Sequence, residues 1–257
     1  MEYIELDVKE RIGTITLNRP KKRNALNFEL VSELKEAFNS FEQDENVKVI
    51  VLNAKGPAFC AGADLAYLQK LQGFSYEENL VDSNHLKELF LTIYTLKKVV
   101  VAQVQGNAIA GGCGLASVCD FAFTVPEAMF GYTEVKLGFI PAIVMVFLLR
   151  KIGAGNAGHL LLSGELISAD EACRMGMVNK VVPSEKLEES VLTFAKKLLV
   201  ENSSQAMATT KQMIAKVQSM QLEEALTFAA EMNARARSSD DCQKGIRAFL
   251  DKQKIAW

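Results

Sequence analysis

Two stretches of this chain share one shape, and that shape restricts the possible folds more than anything else in the sequence. Val47 to Leu52 (VKVIVL) and Val99 to Val104 (VVVAQV) are near-continuous runs rich in β-branched residues. Such runs belong to strands buried on both faces, as in a parallel sheet. Each leads straight into a small-residue segment, Asn53 to Leu65 (NAKGPAFCAGADL) and Gln105 to Leu115 (QGNAIAGGCGL), that opens toward a helix. Strand, small-residue loop and helix start, used twice, predict an α/β layer built from repeated ββα or βαβ units.

Small residues let backbone N–H groups approach a ligand closely. A helix start adds unpaired donors and the positive end of a dipole. Two such loops side by side can hold one oxygen between two amides and stabilise an enolate or tetrahedral oxyanion; one donor is worth ~2.7–4 kcal/mol. Two tight turns with close packing would leave the same trace. Neither loop is GxxxxGK[ST] or GxGxxG, which argues against a nucleotide cradle.

Periodicity places the other elements. Ile4, Leu6 and Val8 alternate with polar residues, a turn follows near Glu10 to Gly13, and Ile15 and Leu17 alternate again, so the first segment is expected to be a hairpin. Asn27 is expected to cap a helix whose buried face carries Phe28, Val31, Leu34, Phe38 and Phe41. A polar helical region from about Asp64 to Lys97 should break, with local mobility, near Gly73 and Ser75. From Ala154 onward the pattern is helical: Leu187 to Leu199, Ser203 to Val217, a stripe from Leu222 to Ala236, and a last helix capped near Ser239 or Asp240. No linker, repeat or low-complexity stretch interrupts the chain.

Composition narrows the function. With 29 basic and 31 acidic residues among 257, the net charge is −2, without the basic excess of a nucleic-acid binder. At 49% hydrophobic and 23% charged, the chain can bury a core without staples. No apolar run reaches the ~18 residues of a membrane helix. The segment near Phe139 to Leu149 is too short and contains Pro141. The N-terminus (MEYIELDVKE) does not read as a signal peptide. Five cysteines, Cys60, Cys113, Cys119, Cys173 and Cys242, lack any CxxC and read as reduced thiols in a cytoplasmic compartment. The two histidines, His85 and His159, read as structural or solvent-facing, and no His/Cys/Asp cluster has ligand spacing, so no metal is expected.

Two further segments carry possible chemistry. The basic loop Arg19 to Asn24 (RPKKRN) is either a solvated loop or a contact for a phosphate-bearing ligand. In Phe130 to Pro141 (FGYTEVKLGFIP), Glu134 stands among apolar and aromatic residues, where a carboxyl tends toward a raised pKa suited to proton transfer. Pairing with Lys136, or plain surface exposure, is the alternative.

Taken together, NRPKKRNALN, FCAGADL, QGNAIAGGCGLASVCDF, FGYTEVKLGFIP, LLLSGELISADEACRMGMVNKVVP and GIRAFLDKQ resemble the enoyl-CoA hydratase/isomerase (crotonase) superfamily in order and spacing over essentially the whole chain. The resemblance implies a crotonase-like spiral of ββα units over residues 1–195 and a helical C-terminal trimerisation region over 196–257. It implies an acyl-CoA thioester as substrate, with coenzyme A arriving on the substrate and no separate cofactor, and a homotrimer or homohexamer without nucleic-acid or membrane partners. It places an oxyanion hole at the N–H groups of Ala63 and Gly111. It places adenine contacts on Ala61 to Ala66, which include Asp64 and Leu65, and it makes Lys22 and Arg23 of the basic loop contacts for the CoA phosphates. Glu134 matches one of the two glutamates of hydratases. Where the other should stand, this chain has Gly114.

That departure matters, because one acid–base group typically contributes ~10²–10⁴-fold. Isomerases of the family work with a single glutamate at the Glu134 position. The run Ala142 to Phe147 replaces the usual hydratase sequence after Pro141, and the Glu-Val-x-Leu-Gly-x-x-Pro-Ala pattern from Glu134 to Ala142, with Gly114, resembles the methylglutaconyl-CoA hydratase branch. The expected function is hydration of a short or branched enoyl-CoA. The alternatives are a single-glutamate isomerase, a catalytically silent acyl-CoA-binding subunit, and a hydrolase or decarboxylase on the same fold.

Overall fold

The computed structural model describes every residue except Ala256. The chain opens with the hairpin β1 (Ile4–Lys9) and β2 (Ile12–Leu17), followed by α1 (Phe28–Gln43). Glu10 and Arg11, both at positive φ, make its turn. The next unit is β3 (Val49–Ala54), β4 (Ala58–Cys60), α2 (Leu65–Leu71) and α3 (Tyr76–Thr95). Then come β5 (Val99–Val104), β6 (Asn107–Ile109) and α4 (Gly111–Val118). A fourth unit has β7 (Phe121–Thr124), β8 (Met129–Gly131) and, beyond a short 3-10 turn at Glu134–Leu137, α5 (Ala142–Ser163). The core ends with β9 (Leu166–Ser168), α6 (Ala169–Arg174), β10 (Lys180–Val181) and α7 (Leu187–Glu201); the tail is α8 (Ser204–Val217), α9 (Leu222–Arg237) and α10 (Asp240–Leu250).

In the three units after the hairpin, the first strand joins one sheet and the second joins another. The large sheet runs β1-β2-β3-β5-β7-β10 and the small one β4-β6-β8-β9. This is the expected spiral of ββα units. Strands β2, β3, β5, β7 and β10 are parallel, and Ile50, Leu52, Val100, Val101 and Ala102 at its centre are almost fully buried or wholly so. Residues buried on both faces read as unbroken apolar runs, which is why VKVIVL and VVVAQV stood out.

The caps fall where expected. The Asn27 side chain accepts from the Leu30 N–H at 3.0 Å. Ser75 and Glu78 form a reciprocal capping box at the start of α3, so the expected break near Gly73 and Ser75 is found. Phe28 is a correction: it is exposed and stacks on His85 at 4.0 Å instead of joining the core.

Helix onset is a second correction. α5 begins at Ala142, well before Ala154, with Pro141 as its N-cap, and its two pieces meet at Gly153 (φ 75°). The segment's buried side carries Val144, Phe147 and Leu148, while Met145, Val146 and Leu149 stay exposed. Its apolar residues therefore occur on all sides, and this hid the helical period. The short strands β9 and β10 inside the region read as helical were also missed; two or three residues are too few to show an alternation.

α7 packs on the large sheet through Val191, Ala195, Leu198 and Leu199. The Lys211 ammonium ties α8 to this core, 2.7 Å from Asp120 and 2.9 Å from the Lys98 carbonyl. α9 and α10 bury no residue, and Leu222, Leu226, Phe249 and Leu250 are exposed. No helix among the described residues is long and apolar enough to cross a membrane.

Candidate active site

The site lies where three neighbouring strands of the small sheet end. β4 pairs parallel with β6, and β6 with β8. Ala63 follows Cys60 by three residues, Gly111 follows Ile109 by two, and Glu134 follows Gly131 by three. The Ala110 N–H donates to the Gly131 carbonyl at 2.8 Å, locking the start of α4 to the strand that leads into Glu134. Ligand sites in α/β sheets commonly form beyond the carboxyl ends of strands, and here three loops converge there.

Two of these loops touch backbone to backbone. A Cβ at Gly62 (φ 89°) would lie 2.9 Å from the Ala110 Cβ and 3.1 Å from the Ile109 carbonyl oxygen. A Cβ at Gly112 would lie 2.2 Å from the Cys60 carbonyl oxygen. Only glycine fits either position. Ala110 itself has φ 51° and ψ −124°, a strained conformation for a residue with a Cβ; such geometry costs ~1–3 kcal/mol and gathers at functional sites. It turns the chain so that Gly111 begins α4. Among the described residues, neither the Ala63 nor the Gly111 N–H donates to any acceptor in the chain. The loops therefore leave two free amide donors beyond β4 and β6, neighbours of the strand that leads into Glu134.

Glu134 is half-buried, and its Oε2 is shielded from solvent without a hydrogen-bond partner. Burial raises the carboxyl above its ordinary pKa, and a bond to its own backbone only partly offsets this. Lys136 does not pair with it: among the described residues Glu134 takes part in no salt bridge, and Lys136 is exposed. A carboxyl in this state can both take and return a proton.

Gly114 contributes no chemistry of its own. It is buried in α4, and a Cβ there would stand 2.3 Å from the Val144 Cγ1 and 2.9 Å from the Phe90 Cε1. Hydrocarbon from α5 and α3 fills the place where a second carboxylate would project. A Gly114→Glu exchange alone therefore has no room, and it needs Val144→Ala beside it to be a fair test. Gly114→Ala is expected to lower the unfolding free energy by about 1–3 kcal/mol, the usual cost of overpacking. Urea denaturation with an unchanged slope measures this; an unchanged midpoint would mean that Val144 and Phe90 move aside freely.

The basic loop lies directly against the Ala61 to Asp64 loop. The Ala61 N–H donates to the Arg23 carbonyl at 3.0 Å, the Leu26 N–H to the Gly62 carbonyl at 2.7 Å, and the Asp64 N–H to the Leu26 carbonyl at 2.8 Å. Lys22 and Arg23 are exposed, as are Ala63, Leu65 and Ala66, while Ala61 is partly buried. The two segments assigned to the coenzyme thus share one surface. The Asp64 side chain is engaged within the chain itself. Its carboxylate accepts from the Ala66 N–H at 2.9 Å as the cap of α2 and pairs with Arg19 at 3.1 Å. Burial alone would raise its pKa, but the Ala66 amide and the Arg19 guanidinium together hold it below the ordinary value. Asp64 positions the loop and leaves no carboxylate free for a ligand.

Two residues that sequence reasoning passed over secure this arrangement. Arg19 also donates to the Ala25 carbonyl at 2.6 Å and lies over the Tyr3 ring. Asn24, fully buried at φ 54°, accepts from the Arg19 N–H and donates to the Lys55 and Ala58 carbonyls, each at 2.9 Å. Both were hidden inside a run that looked merely basic and polar.

The histidines and cysteines stand apart from this chemistry. His85 bonds to Ser32 and Lys35 between α1 and α3, and His159 is exposed, 3.6 Å from Glu165. All five cysteines are free; burial pushes the thiols of Cys60, Cys113 and Cys119 up to about 12, far from the reactive thiolate range. Among the described residues, no group of three or more His, Cys, Asp or Glu side chains could hold a metal ion.

Residues 7–257 match the family model described as enoyl-CoA hydratase/isomerase. A provisionally named enoyl-CoA hydratase of Thermus thermophilus is 40% identical over 95% of this chain and 96% of the relative. The crotonyl-CoA hydratase of Syntrophomonas wolfei is 35% identical over 98% and 96%. Among solved structures, an enoyl-CoA hydratase of Mycobacterium smegmatis superposes with a TM-score of 0.92 at 32% identity, covering 99% of this chain and 98% of that one.

Proposed function

Because the chain belongs to the enoyl-CoA hydratase/isomerase family, and so is an enzyme of that family, we propose that it adds water across the 2,3 double bond of a short or branched enoyl-CoA. The observation that supports this is that two backbone amides without an acceptor, at Ala63 and Gly111, and the orphaned carboxyl of Glu134 each follow one of three adjacent strands. In this reading the thioester oxygen accepts from both amides. Glu134 removes a proton from water as the oxygen bonds to C3, and the double-bond electrons move into an enolate whose charge the two amides stabilise. The protonated Glu134 then returns the proton to C2. Lys22 and Arg23 face the phosphates of coenzyme A, Ala61 to Ala66 its adenine, and no further cofactor takes part.

One observation favours a second chemistry. With Val144 and Phe90 closing the space over Gly114, Glu134 acts as the single carboxylate, and one carboxylate suffices to move a proton from C2 of a 3-enoyl-CoA to C4. Product analysis on a panel of enoyl-CoA esters, including 3-methylglutaconyl-CoA, separates the two. Hydration places solvent oxygen on C3 of a 2-enoyl-CoA. Isomerisation yields the 2-enoyl ester without water uptake and would displace the hydratase assignment. Turnover of neither class of ester would leave an acyl-CoA-binding subunit.

The expected boundary at residues 195 and 196 falls inside α7, whose Leu198 and Leu199 pack on the large sheet; we further propose that the chain through α7 forms the catalytic core and the helices α8 to α10 an oligomerisation region, giving a homotrimer or homohexamer. The support is the exposed apolar surface of α9 and α10, which a lone chain would leave in water. Sedimentation at micromolar concentration is expected to show three or six copies; a stable monomer would contradict this.

A further inference from the structure

A groove of about 960 Å³ opens between α3, α5, α8 and α9, and none of its lining residues belongs to the site around Glu134. Its apolar wall includes Leu91, Val146, Phe147, Met213, Phe228 and Met232. Phe147 packs edge-on against Tyr94 at 5.2 Å and stacks on Phe90 at 5.9 Å. The outer face of α5 thus lines the groove, while Val144 on its inner face lies against Gly114. One layer of side chains separates the groove from the catalytic helix.

The charges around it are all of one sign. Lys87, Arg150, Lys216 and Arg235 line the groove, and no carboxylate does. Among the described residues none of the four forms a salt bridge. Their partners are neutral: Lys87 donates to the Asn84 amide oxygen, Arg150 to the Val146 carbonyl, and Lys216 lies over the Phe228 ring at 4.4 Å.

We propose that this groove is a second binding site, for an aliphatic chain that ends in an oxyanion and is not the substrate thioester. The methionine, phenylalanine and leucine side chains take the chain, methionine adapting to its shape. The guanidinium groups of Arg150 and Arg235 take the anionic head, for which planar forked donors are suited. The groove face of α9, formed by Phe228, Met232 and Arg235, lies on a different side of that helix from the exposed Leu222 and Leu226, by the 3.6-residue period. Assembly through Leu222 and Leu226 does not itself use the groove face.

Titration calorimetry of the full chain in its native assembly, with dodecanoate, dodecyl phosphate and neutral dodecanol as probes of equal chain length, tests the proposal. Dodecanoate or dodecyl phosphate is expected to bind at least tenfold more tightly than dodecanol, and the tighter of the two identifies the head group as carboxylate or phosphate. Arg150→Gln combined with Arg235→Gln, both at exposed positions, should weaken anion binding tenfold or more. Met232→Trp should block it by filling the groove. Absence of binding, equal binding of dodecanol, or affinity indifferent to the arginine pair and to Met232→Trp would each overturn the proposal. None of these readouts depends on turnover, so the result stands apart from the hydratase reading.

Discussion

Exchanging Glu134 for glutamine is expected to lower kcat by ~10²-fold or more with a modest change in KM, because glutamine keeps the size and polarity of the side chain but cannot accept a proton. The fold supplies a control that separates catalysis from structure. Burial raises the Glu134 pKa, so its ionisation is less favourable in the folded chain than in the unfolded one. The sign follows from linkage: the stability associated with this group is fully present below the unfolded carboxylate value and is lost as pH rises through the raised folded value. The glutamine variant escapes that loss, so at neutral pH it should unfold no more easily than the unaltered protein while its turnover collapses. The acidic limb of kcat/KM in the unaltered enzyme should lie above the ordinary carboxylate range, since the base must be ionised to act. A glutamine variant that retained both hydration and isomerisation would end the catalytic assignment.

Removing the Gly111 donor is expected to cost ~10²–10³-fold in kcat, the usual loss for one oxyanion-hole hydrogen bond. Gly111→Pro deletes the N–H at the first position of α4, where a helix otherwise tolerates proline. Two features of the fold complicate that variant. Ala110 sits at φ 51°, while a residue before proline prefers extended geometry, and a Cβ at Gly111 would come within 3.0 Å of the Leu26 Cδ1. An amide-to-ester exchange between Ala110 and Gly111 replaces the N–H by oxygen without adding a side chain, at the cost of a weaker bond from the Gly114 N–H to the Ala110 carbonyl. Near-normal turnover of the ester protein, with its fold verified by circular dichroism, would show that Gly111 is not a donor to the reacting oxygen.

Much of this architecture was legible in the chain as written. The buried parallel strands declared themselves because burial on both faces demands unbroken apolar runs. Asn27 and Ser239 declared helix starts because a short polar side chain can satisfy an amide that the helix leaves orphaned. Ala63, Gly111 and Glu134 were identified from the order of their motifs, and each ends one of three adjacent strands. Lys22 and Arg23, ambiguous as composition, gained meaning from the motif that surrounds them.

Other features depend on groups far apart in sequence. Nothing near Gly114 reveals that Val144 and Phe90 occupy the space above it, since those residues arrive from two other helices. Nothing near Asp64 shows that Arg19, forty-five residues earlier, takes its charge, or near Glu134 that Lys136 turns away from it. The groove at Tyr94 draws its cations from four separate helices. The amino-acid order by itself determined the strands, most helix starts and the choice of candidate reacting groups, because backbone preference, burial periodicity and motif order are all written along the chain. Tertiary structure alone decided which polar groups are partnered, which are stranded and which spaces are filled, because those outcomes depend on distances between segments that local preference does not encode.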